Sequence, residues 1–120
     1  MDVKDVADLA RGTAGDGTSL AEILHPERGA PGLRCSLAHA SLRPGASSYP
    51  HRLSSTEIYY ILEGTGVMHV GEDSREVRAG QAVFIPPGAI QWVDNPGPAT
   101  LAFLCIVDPP WRQEDEEILR

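Results

Sequence analysis

Two stretches of sequence decide the fold: GASSYPHRLSSTEIYYILEG at residues 45–64 and GQAVFIPPGAIQWVDN at residues 80–95. In both, short runs of aliphatic and aromatic residues are bounded by Gly, Pro, Ser or Asn, a pattern that predicts β-strands and tight turns. The same punctuation continues on both sides of these stretches. About eight or nine short strands are therefore predicted, which is typical of an all-β barrel or jelly roll.

The predicted elements form a single domain over residues 1–120. Apolar residues three and four apart within residues 3–11 predict a short N-terminal helix or arm. The acidic run Glu114–Glu117 predicts a solvated C-terminal tail over residues 108–120. The predicted strands lie at Thr18–Leu24, Leu33–Leu42, Ser48–Leu53, Glu57–Leu62, Val67–Val70, Arg75–Arg78, Ala82–Ile85, Ile90–Val93 and Ala99–Val107.

Composition narrows the class of protein. The chain has 10 basic and 17 acidic residues and a net charge of −7, which argues against nucleic-acid binding because phosphates need a basic surface. The first ten residues resemble neither a secretory signal nor a membrane anchor, so a cytoplasmic location without membrane contact is expected. Cys35 and Cys105 lie far apart in apolar runs, and we expect both to be reduced, buried thiols.

Ionisable residues between apolar strand residues are candidates for chemistry, and His51 and Glu57 are the first of these. In one straight strand, six residues would separate them by roughly 20 Å at about 3.3 Å per residue. The small hydroxylated residues 54–56 can form a turn between them. We therefore expect His51 at the end of one strand to face Glu57 at the start of the next.

Both stretches resemble the two sequence motifs of the cupin family. The first motif has its positions at Gly45, His51, Leu53, Glu57 and Gly64, and the second at Gly80, Pro86, Gly88, Gln91 and Asn95. All spacings are kept, and only Leu53 and Gln91 stand where the motifs have histidine. The resemblance implies a double-stranded β-helix, the cupin jelly-roll barrel, with a pocket at one end and pairing of two copies through their outer sheets. The apolar run Leu101–Val107 is the predicted surface of that homodimer.

The resemblance also implies a divalent metal, such as Mn, Fe, Ni or Zn, held by three His and one Glu. Carried over, these positions leave His51, Glu57 and Gln91 as the candidate ligands, since Leu53 cannot ligate a metal and an amide oxygen is a poor substitute for imidazole. A further ligand could come from His39, His69, Tyr59 or Cys105, whose orientation the sequence leaves open. Leu53, Tyr59 and Gln91 are predicted to line the substrate pocket.

Several functions remain compatible with this site. The leading hypothesis is an isomerase or epimerase acting on a sugar or hydroxy acid, with His51 and Glu57 as metal ligands or as an acid/base pair. A module that binds a small molecule without turnover is the rival hypothesis, and a metal-dependent dioxygenase ranks below both. A third reading makes His51 and Glu57 a hydrogen-bonded pair that only fills the barrel.

Overall fold

The computed structural model describes all residues from 1 to 120, and it is almost entirely β. Eleven strands are joined by turns, and two single 3₁₀ turns span Val6–Asp8 and Gln113–Asp115. The strands are β1 Gly12–Thr13, β2 Ser19–Leu24, β3 Ser36–Leu42, β4 His51–Leu53, β5 Thr56–Glu63, β6 Thr65–Val70, β7 Asp73–Arg78, β8 Ala82–Ile85, β9 Gln91–Asp94, β10 Leu101–Asp108 and β11 Glu116–Ile118.

The strands form two antiparallel sheets, ordered β1-β2-β3-β10-β5-β8 and β11-β4-β9-β6-β7. Alternate residues of each strand point to the shared interior, as the two-residue period of a strand requires. Side chains of both sheets meet there, with Tyr59 and Phe103 from one sheet in the same cluster as Met68 and Val93 from the other. The predicted all-β, double-stranded β-helix is therefore confirmed.

Most predicted strands agree with the observed ones to within a few residues. The turn predicted between His51 and Glu57 is also present, because β4 ends at Leu53 and β5 begins at Thr56. Of the helix or arm predicted over residues 3–11, the structure shows the arm, in which only Val6–Asp8 form a 3₁₀ turn, capped by the Asp5 side chain. None of these three residues is buried, so no packing stabilises a longer helix.

The predicted solvated tail over residues 108–120 is wrong. Residues 116–118 form β11, which pairs antiparallel with β4 and places Ile118 opposite His51. Beyond it, the Leu119 amide donates to the Pro50 carbonyl at 2.8 Å. The unpaired edge of β4 provides backbone partners for this segment, which outweighs the preference of its acidic side chains for water. Those side chains alternate, so one face of β11 turns toward the interior.

The apolar core fills one part of the space between the sheets and borders a polar part. On β5, the inward residues run from Glu57 through Tyr59 to Ile61, so the same strand supplies both regions. Tyr59 stacks on Phe103 with ring centroids 4.4 Å apart, which closes the apolar side. This arrangement leaves the polar residues of β4 and β5 at the end of the interior reached by β11.

Two further features bear on the predictions from composition. Cys105 is buried and Cys35 is partly exposed, and both are free thiols, so the expected burial holds for Cys105 alone. None of the helical segments has the length and apolar character needed to cross a bilayer.

Candidate functional site

A cavity of about 250 Å³ opens between the sheets beside the apolar core. Its walls come from the β1–β2 connection, from β2 to β5, and from the chain between β10 and β11. A larger depression of about 510 Å³ lies between β7 and β8, but no histidine or cysteine lines it. The smaller cavity contains both His51 and Glu57, and it is therefore the candidate active site.

His51 is held in a defined orientation at the start of β4. Its side chain is 2% exposed, and Nδ1 lies 2.7 Å from the carbonyl oxygen of Tyr49. Because a carbonyl only accepts hydrogen bonds, Nδ1 carries the proton and donates it, which leaves the Nε2 lone pair free in the neutral ring. Nε2 lies 3.7 Å from Oδ2 of Asp16, too far for a hydrogen bond.

Glu57 faces the same cavity from the start of β5 and is 6% exposed. Its Oε1 accepts a hydrogen bond from Nε2 of Gln91 at 2.8 Å, whereas Oε2 makes no hydrogen bond to the protein. Burial raises the pKa of Glu57 from 4.5 to about 8, and repulsion from Asp16 and Glu116 adds to the rise, while the Gln91 bond opposes it. Glu57 is therefore largely a neutral acid at pH 7.

The structure places Gln91 and Leu53 differently from the sequence prediction. Gln91 is fully buried behind Glu57, does not line the cavity, and leaves its Oε1 without a hydrogen-bond partner. Leu53 is buried, yet it lies outside the cavity lining as well. Both were predicted to line the substrate pocket. Leu53 ends the three-residue strand β4, in which only His51 reaches the cavity, and the amide of Gln91 on β9 is bonded to Glu57. Gln91 instead orients Glu57.

The candidates that the sequence left open divide into two pairs. Tyr59 and Cys105 point into the cavity, and burial raises the pKa of each well above its usual value, so both are neutral at pH 7. His39 and His69 lie on the outer sheet faces. His39 contacts Arg11, and His69 bonds to Asp94 at 2.7 Å and to Ser74. Neither histidine can therefore contribute to this site.

Sequence reasoning missed three residues of the site: Asp16, Trp111 and Glu116. Asp16 is fixed in a turn, where its Oδ1 accepts from the amide and hydroxyl of Thr18 at 3.0 and 2.7 Å. Glu116 arrives on β11, and burial raises its pKa while the neighbouring His51 opposes that rise. Asp16 belongs to neither motif and Glu116 to the supposed tail, so only the chain's fold brings them to His51.

Trp111 covers the cavity because two contacts hold its backbone. Its amide donates to the Ser36 hydroxyl at 2.9 Å, and its carbonyl lies 2.9 Å from Nε2 of the buried His25. The His25 Nδ1 accepts from the amide of Glu27, so Nε2 carries the proton and donates to Trp111. In the sequence, His25 has the pattern of an ordinary loop residue. In the structure, its hydrogen bond to the Trp111 carbonyl holds Trp111 in the wall of the cavity.

Residues 38–107 match the family model described as the cupin domain. This chain is a cupin. An uncharacterised protein of Methanocaldococcus jannaschii is 40% identical over 105 residues, covering 87% of this cupin and 83% of that protein. The oxalate-binding protein of Thermotoga maritima is 35% identical over 71 residues, covering 58% and 59% of the two chains.

Solved structures show the same fold. The crystal structure of a predicted oxalate decarboxylase from Thermotoga maritima superposes with a TM-score of 0.80 at 26% identity, covering 90% of this cupin and 99% of that chain. The polyketide cyclase RemF from Streptomyces resistomycificus superposes with a TM-score of 0.79 at 22% identity, covering 96% and 89%. At that lower identity the likeness to RemF concerns the fold only.

Cupins commonly bind metals, so the donor atoms of this cupin were tested against that role. Of the four motif positions, Leu53 has no donor, and Gln91 is turned away from the cavity and bonded to Glu57. His51 and Glu57 remain, and two protein ligands are fewer than the three or more that protein metal sites use. No three His, Cys, Asp or Glu side chains lie close enough together to hold a metal ion. The predicted ligand set does not fit a metal.

Proposed function

We propose that this cupin is an isomerase or epimerase that acts on a small polyhydroxylated carbonyl compound by acid/base chemistry. One observation carries the proposal: the free Nε2 lone pair of His51 and the protonated carboxyl of Glu57 face one cavity. One group that can accept a proton and one that can donate a proton, both facing the same substrate, are the minimum that such a reaction needs. Both groups are fixed by a hydrogen bond to the protein, so their positions are set before substrate binds.

The proton transfers follow from these roles. His51 Nε2 removes a proton from the carbon beside the substrate carbonyl, and Glu57 gives its proton to the carbonyl oxygen, which produces an enol or enediol. Asp16, whose Oδ2 is 3.7 Å from Nε2, stabilises the imidazolium that forms. The His51 imidazolium then gives its proton to the neighbouring carbon, or to the other face of the same carbon, and the Glu57 carboxylate takes a proton back from an enol hydroxyl, which completes the isomerisation or epimerisation and restores both groups.

Solvent deuterium exchange tests this proposal directly. Carbonyl sugars are incubated with the protein in D₂O, and loss of the proton beside the carbonyl is followed by NMR. We expect exchange with the wild-type protein, and loss of about a hundredfold or more in His51→Ala and in Glu57→Gln. His69→Ala is the matched control, because His69 lies on the outer face, and it should exchange as the wild type does. Full exchange activity in both cavity variants would refute the assignment.

A binding function is the second candidate, and the replacement of two motif histidines by Leu53 and Gln91 favours it. The name of the Thermotoga maritima relative, an oxalate-binding protein, is compatible with such a role. A thermal-shift screen separates the two functions, since a stabilising ligand that is recovered unchanged argues for binding and a converted ligand for catalysis. A dioxygenase ranks third. A gentisate 1,2-dioxygenase from Haloferax is 31% identical over 86 residues, but this cupin spans only 24% of it.

We also propose that the protein is a homodimer, formed through the outer face of the six-stranded sheet. Tyr60 and Phe84 are 42% and 65% exposed there, and Ile58 lies between Phe84 and Ile106 across three paired strands. Such a contiguous apolar surface is unusual on a monomer. Light scattering should give twice the chain mass for wild type and one chain mass for Phe84→Asp, whereas a monomeric wild type would remove the proposal.

The proposed setting of this chemistry is the cytoplasm. Two free thiols, one of them partly exposed, suit its reducing environment. The net charge of −7 supports a small-molecule partner over nucleic acid.

A further inference from the structure

The side chains that line the cavity include more acidic groups than basic groups. Carboxyl groups of Asp16, Glu57 and Glu116 line it, and His51 is the only basic side chain among the lining residues. No lysine or arginine lines the cavity. A fourth carboxylate, Glu22, is already neutralised by two bonds of 2.6 and 2.8 Å to Arg28. A ligand inside this cavity therefore meets negative charge that the protein itself does not balance.

Three polar atoms of largely buried side chains have no hydrogen-bond partner in the protein. They are Nε2 of His51, Oε2 of Glu57 and the hydroxyl of Tyr59, and all three side chains line the cavity. The one polar side-chain atom that is fully buried without a partner is Oε1 of Gln91, outside the cavity. The three atoms therefore reach the open space of the cavity, where the hydrogen bonds that they lack can be made to a polar ligand.

The spacing of His51 and Asp16 shows where a donor fits. Oδ2 of Asp16 makes no hydrogen bond to the protein and lies 3.7 Å from Nε2 of His51. An ammonium group has three donor hydrogens and a positive charge, so it can donate to Asp16 and Glu116 and offset their charge, while Nε2 of His51 remains available to the substrate carbon.

Aromatic rings complete the lining. Tyr59 lies beside Glu57 on β5, and Trp111 is fastened across the cavity by Ser36 and His25. Indole and phenol rings attract organic cations through their negative faces, with Trp the most effective. A cavity lined by carboxylates and aromatic rings stabilises a small organic cation.

We propose that the ligand of this cavity carries an ammonium group together with hydroxyls, as an amino sugar or an amino alcohol does, and that hydroxy acids are excluded. The inference rests on the proposed function, because it takes the same cavity as the substrate site. It narrows the substrate class, since a carboxylate ligand would meet Asp16 and Glu116 with no lysine or arginine to receive it. An ammonium also fits better than a metal ion, because no three ligating side chains converge.

Two sets of ligands of matched shape and different charge test this inference by calorimetry. One set is glucosamine, glucose and glucuronate, and the other is ethanolamine, ethylene glycol and glycolate. The protein is dialysed against chelator before use, and Mn²⁺ and Zn²⁺ are titrated separately. In at least one set we expect the ammonium compound to bind about tenfold or more tightly than its neutral counterpart, and the acid to bind most weakly.

Two single substitutions then test which carboxyl groups strengthen the binding of the ammonium compound. Asp16→Asn keeps the acceptor that bonds to Thr18, and Glu116→Gln keeps the shape of β11. Each should weaken ammonium binding about tenfold and leave binding of the neutral compound within about twofold. Glu114→Gln is the matched control, because Glu114 lies in the same segment but is exposed and outside the cavity. Its affinity should equal that of the wild type.

The contrary outcomes separate the inference from the proposed function. If the neutral or acidic compound binds as tightly as the ammonium compound, the inference is wrong while the cavity remains a ligand site. If Mn²⁺ or Zn²⁺ binds and Asp16→Asn abolishes that binding, the cation is a metal and the inference is wrong. If no compound of either set binds at millimolar concentration, both the inference and the assignment of the cavity as substrate site are overturned.

Discussion

Glu57→Gln should abolish a pH dependence of stability that the buried carboxyl imposes. The pKa of Glu57 rises from 4.5 to about 8 on folding, chiefly through burial. Between these values the folded protein holds a proton that the unfolded chain has lost, so stability falls as pH rises. The contribution is fully present below pH 4.5 and is lost as pH passes through 8.

The size of the effect follows from the shift. At about 1.4 kcal/mol for each unit of pKa, the whole shift corresponds to about 5 kcal/mol. Between pH 6 and pH 8.5, which covers part of this titration, the free energy of unfolding of the wild type should fall by about 2–3 kcal/mol. In Glu57→Gln this fall should be absent, because the amide keeps the hydrogen bond from Gln91 and does not ionise.

Urea unfolding at the two pH values, followed by circular dichroism, gives the free energies by linear extrapolation. Glu76→Gln is the control, since it removes an exposed carboxylate from β7 and should retain the wild-type fall. A wild-type protein with equal stability at both pH values would refute the reasoning, and so would a Glu57→Gln variant with the wild-type fall. Either result would mean that Glu57 is ionised at pH 7 and cannot serve as the proposed acid.

Two other substitutions and one deletion test how the fold supports the site. Gly64→Ala should lower the free energy of unfolding by about 2–4 kcal/mol in urea titrations, because Gly64 has a φ of +81° and a Cβ would meet the Thr100 carbonyl oxygen. Asn95→Ala should cost about 2–3 kcal/mol in the same assay, since the buried Asn95 side chain donates to two carbonyls and accepts from one amide. Deletion of residues 116–120 should weaken binding of any cavity ligand about tenfold or more in calorimetry, because it removes Glu116 and the β11 pairing with β4. Unchanged affinity would show that the C-terminal strand is not part of the site.

The turn predicted between His51 and Glu57 is present, and both residues line one cavity. Both residues lie next to a turn whose residues are local in sequence, so their juxtaposition depends on a short stretch of chain. Gln91 is a different case, since the motif gives its register against His51 but not the direction of its amide. The burial of Glu57 decides that direction, because Gln91 supplies the only hydrogen bond that Glu57 receives.

The orientation of individual side chains could be predicted only where the strand period was anchored by a neighbour. His69 alternates with the buried Met68, so its outward direction follows from the two-residue period. For the adjacent Tyr59 and Tyr60 the same period says that one faces inward, but not which one. The register of β5 against β10 decides it, because Tyr59 pairs with the inward Cys105.

By itself, the sequence determined the all-β class, most strand positions, the cupin fold and the pair His51 and Glu57. The all-β class and the strand positions follow from local propensity, which short-range interactions fix, whereas the cupin fold was implied by the resemblance of two motifs to that family. The tertiary structure decided the charge of the cavity, the neutral state of Glu57 and the inclusion of Asp16, Trp111 and Glu116. Those properties depend on burial and on segments far apart in sequence, and a pKa or a cavity wall exists only once the distant strands have packed together.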